Sequence, residues 1–185
     1  SVSGTFSFDN PSYAPDAGTF TADVSFTPDD NTNYYSVSGT VDVTVNKATP
    51  NVIEWPAASD ITFGQSLNES ILSGGTASVS GNFSFDNPAY VPDAGTFTAD
   101  VTFIPDDNSN YNNVSGTVDV TINKATPNVT EWPTASDITY GQTLNESALS
   151  GGSASVSGTF SFDNPSYTPD AGTFTADISF IPDDN

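Results

Sequence analysis

Carboxylates and carboxamides are the side chains of this sequence that could carry chemistry. The chain holds 23 Asp and Glu against two Lys, and it has no His and no Cys. Serine–histidine and thiol nucleophiles are therefore excluded, and so is a zinc site with thiolate ligands. The adjacent carboxylates Asp106 and Asp107 lie in a turn-forming "PDDN" segment, whereas a glycosidase needs two carboxylates facing each other across a cleft. We predict that the protein is not an enzyme and requires no cofactor.

The "PDDN" segment is nevertheless a candidate cation site, because clustered carboxylate and amide oxygens are the ligands that Ca²⁺ prefers. The alternative is that these residues form turns on a solvated loop tip, with Lys47 supplying a weak ion pair. No spaced Asp-x-Asp-x-Asp loop supports metal binding, and both interpretations stay open. The candidate ligands are Asp16, Asp93, Asp106, Asp107, Asn108, Asp183, Asp184 and Asn185.

The formal net charge of −21 limits the partners that the protein can have. Nucleic acids are excluded, because their affinity for proteins comes mainly from cationic contacts. Anionic membrane surfaces are disfavoured for the same reason, and no apolar run is long enough to insert into a bilayer. An acidic surface of this kind keeps a protein soluble and makes its copies repel one another.

One module repeats along the chain with a period of 77 residues. The nonapeptide "PDAGTFTAD" occurs at residues 15–23, 92–100 and 169–177. A self-similarity of this kind indicates several copies of one fold. We therefore divide the chain into a partial first repeat (1–46), a complete second repeat (47–123) and a third repeat (124–185) that lacks its last strand.

Each repeat reads as a series of short β-strands. In "GTFTADVTFIP", Phe97, Ala99, Val101 and Phe103 share one face, which is the period of a half-buried strand. The same alternation predicts inward faces for Val118, Val120 and Ile122, for Phe83 and Phe85, and for Ile61 and Phe63. Pro, Gly, Asn and Asp separate these runs, which favours antiparallel β-sandwiches. Residues 66–75 could form either a helical turn with a capping box or a continued strand.

Two motifs carry a resemblance to a known family. The segment "DAGTFTA" at residues 93–99 resembles the strand-F corner of immunoglobulin domains, with Phe97 in place of the usual Tyr and Ala99 in place of the Cys. The whole period resembles the bacterial immunoglobulin-like tandem repeats of the MBG type (YGX-like). Their "TYGQ" stretch appears here as "TFGQ" at residues 62–65 and as "TYGQ" at 139–142. The resemblance implies large secreted or cell-surface proteins, commonly adhesins, and no catalytic residues. In an immunoglobulin-like topology, residues 106–108 would lie beside Lys47 and beside Asp16 of the preceding repeat.

The connection between repeats is short and contains proline. Only "KATP" separates the last strand of one repeat from the first strand of the next, and Pro127 restricts both itself and Thr126. We therefore expect little bending, so that each repeat touches mainly its neighbours. The fold class we predict is all-β, with tandem immunoglobulin-like antiparallel β-sandwiches in an extended array.

The function predicted from these features is a rigid extracellular stalk or filament within a large surface protein. One alternative is an adhesive module that recognises a glycan or a host protein, with Trp55 and Trp132 as stacking platforms; such residues more often pack over a sandwich edge. The other is a polymer of short subunits that assembles into fibres, because residues 34–46 repeat the strand that the third repeat lacks.

Overall fold

The computed structural model describes residues 1–184, and its regular structure is β-strand apart from two short 3₁₀ turns. The all-β class is therefore confirmed. The chain divides into two compact units, residues 1–124 and 125–185. Within the described residues, no helix is long and apolar enough to cross a membrane.

The first repeat is a three-stranded antiparallel sheet in the order β1-β2-β3. In the second repeat, residues 52–58 pair with residues 72–77 to form a second layer, and the described residues 1–46 include no counterpart of it. The apolar face of the first repeat's sheet is therefore only half-buried, and Phe6 and Phe8 are 78% and 49% exposed. The strands are β1 (Gly4–Phe8), β2 (Gly18–Pro28) and β3 (Val37–Val45).

The second repeat contains two layers. Its main sheet has the order β6-β11-β10-β9, in which β6 runs parallel to β11 and the other pairs are antiparallel. The antiparallel pairs β4-β8 and β5-β7 form the second layer. Its strands are β4 (Val52–Glu54), β5 (Ala57–Ala58), β6 (Ile61–Thr62), β7 (Leu72–Ser73), β8 (Thr76–Ala77), β9 (Gly81–Phe85), β10 (Gly95–Pro105) and β11 (Val114–Asn123).

The core of the second repeat lies between these two layers. The alternation predicted for β10 and β11 is confirmed, because Ala99, Val101, Phe103, Val118, Val120 and Ile122 are all buried. Trp55, Ala58 and Leu72 of the second layer pack against this face. The buried faces of both layers therefore form one hydrophobic core.

The prediction that Phe63 points inward is wrong, because its side chain is 46% exposed. Strand β6 ends at Thr62 and gives way to a turn, in which Gly64 has a φ of 94°. The Gln65 side chain closes this turn, since its Oε1 accepts the Thr62 N–H at 2.7 Å. The alternation that holds for Ile61 therefore ends one residue later.

Residues 66–75 combine the two predicted alternatives, because a short turn is followed by the two-residue strand β7. A 3₁₀ turn covers Leu67–Glu69, and Leu67 is buried in the core. The capping box is absent, because the Ser66 side chain makes no cap hydrogen bond. Gly74 and Gly75 then take positive φ values, which only glycine adopts without strain.

The third repeat forms the second compact unit, with a 3₁₀ turn at Leu144–Glu146. The paired strands are β12-β15, β13-β14 and β16-β17. The bounds are β12 (Val129–Glu131), β13 (Thr134–Ala135), β14 (Leu149–Ser150), β15 (Ser153–Ala154), β16 (Gly158–Phe162) and β17 (Ile178–Pro182).

Identical sequences adopt different structures in the three repeats. "GTFTAD" is strand at residues 18–23 and 95–100, where it pairs with β3 and β11. At residues 172–177 it is not strand, and β17 begins only at Ile178, where pairing with β16 begins. A strand therefore forms in this segment only where a partner strand supplies hydrogen bonds.

The contact between the two layers can be tested at two equivalent glycines. A Cβ at Gly116 would overlap the Trp55 ring, whereas a Cβ at Gly39 of the first repeat would meet nothing within 4 Å. We expect Gly116→Ala to lower the free energy of unfolding by about 1–3 kcal/mol, because it overpacks the core. Gly39→Ala should be neutral or slightly stabilising. Urea unfolding followed at the Trp55 indole resonance measures both, and equal effects would contradict the two-layer packing.

Candidate functional site

The most specific polar arrangement in the first compact unit is a joint between the first two repeats. There the turn of the second repeat at residues 105–112 lies against the corner of the first repeat at Asp16 and Ala17. The linker residues 47–50 run beside the same turn. We refer to these three segments together as the joint.

The turn is held by Asp107. Its carboxylate accepts hydrogen bonds from the backbone N–H of Asn110 at 3.2 Å and from the Asn110 side-chain Nδ2 at 2.9 Å. The Asp107 carbonyl also accepts the Tyr111 N–H at 3.1 Å. Asp and Asn side chains commonly close turns in this way. The Asn110 carboxamide is therefore fixed in position before it meets the other repeat.

Asn110 then bridges to the first repeat with both ends of its carboxamide. Its Oδ1 accepts the backbone N–H of Ala17 at 2.7 Å, and its Nδ2 donates to Asp16 Oδ1 at 3.0 Å. One neutral side chain thus binds a backbone donor of one repeat and a carboxylate from each repeat. This geometry fixes the orientation of the first repeat against the turn. If the Asn110 carboxamide were flipped, its NH₂ would face the Ala17 N–H and its oxygen would face the Asp16 carboxylate, and both bonds would be lost.

The linker adds backbone pairing to this bridge. Ala48 forms a parallel β-bridge with Tyr111, in which the Ala48 N–H donates to the Asn110 carbonyl at 2.9 Å. The Asn112 N–H donates to the Ala48 carbonyl at 2.8 Å, and the Asn112 side chain donates to Thr49 Oγ1 at 3.2 Å. The linker is therefore held along one side of the turn.

The electrostatics of the joint centre on Asp107. The hydrogen bond from the Asn110 side chain, with smaller contributions from backbone N–H groups and from the Lys47 charge, holds the pKa of Asp107 below its ordinary value of 3.8. A carboxylate whose pKa is lower in the folded state stabilises that state above the ordinary pKa. This contribution is lost as the pH falls through the folded-state value.

The structure distributes the predicted calcium ligands among different roles. It brings Asp16 and Asp107 together through Asn110, while the Asn108 carbonyl accepts Lys47 Nζ at 2.6 Å. The Asp106 side chain instead accepts a 3.5 Å hydrogen bond from Asn82. Lys47 and Asp16 do lie at this turn, as the sequence predicts.

The remaining predicted ligands lie elsewhere. Asp93 occupies the corner of the second repeat, Asp183 and Asp184 belong to the other compact unit, and Asn185 lies outside the described residues. Among residues 1–184 no three acidic side chains are grouped closely enough to hold a metal ion. Calcium binding stays a prediction.

Sequence reasoning missed Asn110 and Asn112, the two residues that make the joint. The available signal was the spacing Asp-x-x-Asn, which occurs as Asp107 with Asn110 and again as Asp30 with Asn33. In the first repeat Asn33 makes the same two bonds to Asp30, at 3.2 and 2.9 Å.

The tryptophans have an internal packing role in the second repeat. Trp55 contacts Gly116 and packs edge-on against Phe83, with ring centroids 5.7 Å apart. Its counterpart Trp132 packs against Phe160 in the same way, yet it is 55% exposed. The exposure of Trp132 follows from the lack of a strand equivalent to β11 in the described part of the third repeat. These contacts favour the packing interpretation over a sugar-stacking platform.

No family model matches the chain, and no curated protein matches it.

The bridge can be tested by a matched pair of variants. Asn110→Ala and Asn33→Ala each remove one intraloop bond, from the Asn side chain to Asp107 or Asp30, but only Asn110→Ala also removes the bonds to Asp16 and Ala17. We expect Asn110→Ala to destabilise the first unit by about 1 kcal/mol more than Asn33→Ala, since each hydrogen bond contributes about 0.5–1.5 kcal/mol.

The direct measurement is amide exchange at Ala17. Exchange there should accelerate in Asn110→Ala and stay unchanged in Asn33→Ala. Equal Ala17 exchange rates in the two variants would show that Asn110 does not hold the repeats together.

Proposed function

We propose that this chain is part of a tandem array of immunoglobulin-like sandwiches and that it acts as an extracellular spacer, either a stalk or a filament. The observation that carries the proposal is the joint, in which the Asn110 carboxamide and the paired linker attach one repeat to the next. Such a chain would hold the parts of the protein on either side of it at a defined distance.

The organisation of the second repeat supports the immunoglobulin-like part of the proposal. It is a two-layer β structure whose strands β9, β10 and β11 form an antiparallel sheet over a core shared with the second layer. The corner before β10 resembles the one that precedes strand F in immunoglobulin domains. Pro92 is buried there, and Gly95 has a φ of 127°, which favours glycine.

The joint supports a stiff connection because it fixes the linker and the neighbouring turn at once. Domains joined by unpaired flexible linkers move freely as a rule. Here, residues 47–49 are hydrogen bonded to the turn, and Pro50 is buried. Rotation of the first repeat against the linker would break the Asn110 bridge, while the Ala48 pairing holds the linker on the second repeat.

The recurrence of the same residues supports an array. Asp30 and Asn33 repeat the arrangement of Asp107 and Asn110 one period earlier. The Asp-Ala-Gly corner that Asn110 binds also recurs in all three repeats. The turn residues and the corner residues of the joint thus both recur along the chain.

The surface supports an extracellular location. A net charge of −21 with only two Lys disfavours self-association and leaves few cleavage sites for trypsin-like proteases. The adhesive alternative has less support, because Trp55 packs inside the repeat.

A spin-label distance measurement tests the spacer proposal. The chain has no Cys, so Thr40→Cys and Thr117→Cys place two labels at equivalent exposed positions in the first and second repeats. We expect one narrow distance distribution, because the joint restricts motion between the labels. A control chain in which residues 47–50 are replaced by a Gly-Ser linker should give a broad distribution. A broad distribution in the native chain would contradict the spacer proposal.

A further inference from the structure

We propose that Asn68 and Asn145 are acceptor sites for N-linked sugars, which are attached before each repeat folds. Both asparagines begin the sequence Asn-Glu-Ser, which matches the acceptor pattern Asn-x-Ser/Thr with a central residue other than Pro. The inference goes beyond the spacer function, and it rests on the extracellular part of that proposal, because such sugars are typical of secreted proteins.

The chain contains five acceptor patterns, and only one of them is kept from one repeat to the next. Asn-Glu-Ser occurs at residues 68–70 and again at 145–147, one period later. The other three patterns lie at residues 82–84, 113–115 and 128–130, and each is broken at the equivalent position of another repeat, by Thr5, Ser36 and Ile53 respectively. The Asn-Glu-Ser segment is therefore the strongest candidate of the five.

The structure explains the residues that surround the acceptor in the second repeat. Leu67 is buried in the core. The Glu69 carboxylate accepts a hydrogen bond from Gln65 Nε2 at 2.5 Å. Ser70 is 6% exposed, and its hydroxyl donates to the Ser59 carbonyl at 2.6 Å. Packing and hydrogen bonding within the repeat are sufficient reasons for these residues.

The side chain of Asn68 has no such role. Its backbone N–H donates to the Pro88 carbonyl at 2.7 Å, which fixes the turn, but the residue is exposed and its carboxamide makes no hydrogen bond to any described residue. Asn145 repeats this arrangement, with its N–H donating to the Pro165 carbonyl at 2.8 Å. A sugar on either carboxamide would extend into solvent without displacing a contact of the turn.

The reaction is a group transfer from an activated sugar. A bond forms between the Asn Nδ2 and the anomeric carbon of the sugar, and the bond from that carbon to a phosphate oxygen breaks. The phosphate leaves with the electron pair, and one Nδ2 proton passes to a base of the transferase. The donor is a phosphate-activated sugar, linked either to a nucleotide or to a lipid, and no oxidation or reduction takes place.

The serine of the pattern determines when the sugar can be attached. A transferase that selects Asn-x-Ser/Thr must recognise the hydroxyl of the third residue. In the folded repeats this hydroxyl is engaged, since Ser70 donates to the Ser59 carbonyl and Ser147 donates to the Ser136 carbonyl. The pattern is therefore readable in the unfolded chain, and folding then encloses the serine and leaves the modified asparagine outside.

Peptide mapping by mass spectrometry of the chain isolated from its own cells tests the assignment. We expect a sugar at both Asn68 and Asn145. A single hexose at each site would identify a nucleotide-linked donor, and an oligosaccharide would identify a lipid-linked donor. Unmodified asparagine at both positions would overturn the proposal.

A matched pair of variants confirms the site in the intact chain. Asn68→Gln removes the acceptor, whereas Asn51→Gln removes an exposed asparagine of the same repeat that is followed by Val52 and Ile53 and so lies outside any acceptor pattern. The intact mass of Asn68→Gln should fall by one sugar chain, and that of Asn51→Gln should keep it. Equal sugar content in the two variants would overturn the assignment.

Cell-free synthesis of the full chain tests the order of events. A soluble asparagine glucosyltransferase and nucleotide-activated glucose are present either during synthesis or only after the chain has folded. We expect modification of Asn68 to be at least about tenfold faster in the first case, because the Ser70 hydroxyl is reached only when the folded turn opens. Equal rates would overturn attachment before folding.

These outcomes are distinguishable from failure of the spacer proposal. A chain that carries no sugar but gives a narrow spin-label distance distribution would overturn the glycosylation inference alone. A chain that carries sugar at Asn68 and gives a broad distribution would overturn the spacer alone.

Discussion

The pairing of each repeat's last strand with its "GTFTAD" segment is the interaction on which the rest of the structure depends. Where β11 is present, this segment is strand and Ala99 is 1% exposed. Where β3 is present without a second layer, the strand forms but its apolar face stays half-buried. Where the described chain offers no such strand, residues 172–177 lose their regular structure and the core residues line an open groove. Local sequence is constant across these three cases, so the partner strand determines the outcome.

The same strand connects the core to the joint. β11 follows the turn that contains Asn110, and the linker to the second repeat pairs beside that turn. An acidic chain faces a particular difficulty in bringing two repeats together, because each contributes carboxylates. Asn110 avoids this repulsion, because its neutral amide donates to both Asp16 and Asp107. A carboxylate in its place would add repulsion, and a lysine could not accept the Ala17 N–H.

Much of the core could be predicted from the sequence, because strand alternation depends only on near neighbours along the chain. The buried faces of β10 and β11 could be predicted from that period. The exposure of Phe63 could not, because a turn ends the alternation at Thr62. The position of the joint beside Lys47 and Asp16 followed from the topology that the resemblance implies. The role of Asn110 could not be predicted, because it depends on a contact between residues 93 positions apart. The lack of strand at residues 172–177 could not be predicted either, because the identical hexapeptide forms strand at residues 18–23 and 95–100.

Amide hydrogen exchange at the three copies of "GTFTAD" tests the central claim most directly. The flanking residues differ between copies, so NMR assigns each one separately. Our account predicts the slowest exchange at residues 95–100, intermediate rates at 18–23 and rates close to those of an unfolded peptide at 172–177. Equal protection of all three copies would mean that the hexapeptide forms its strand without the last strand, and it would contradict the account.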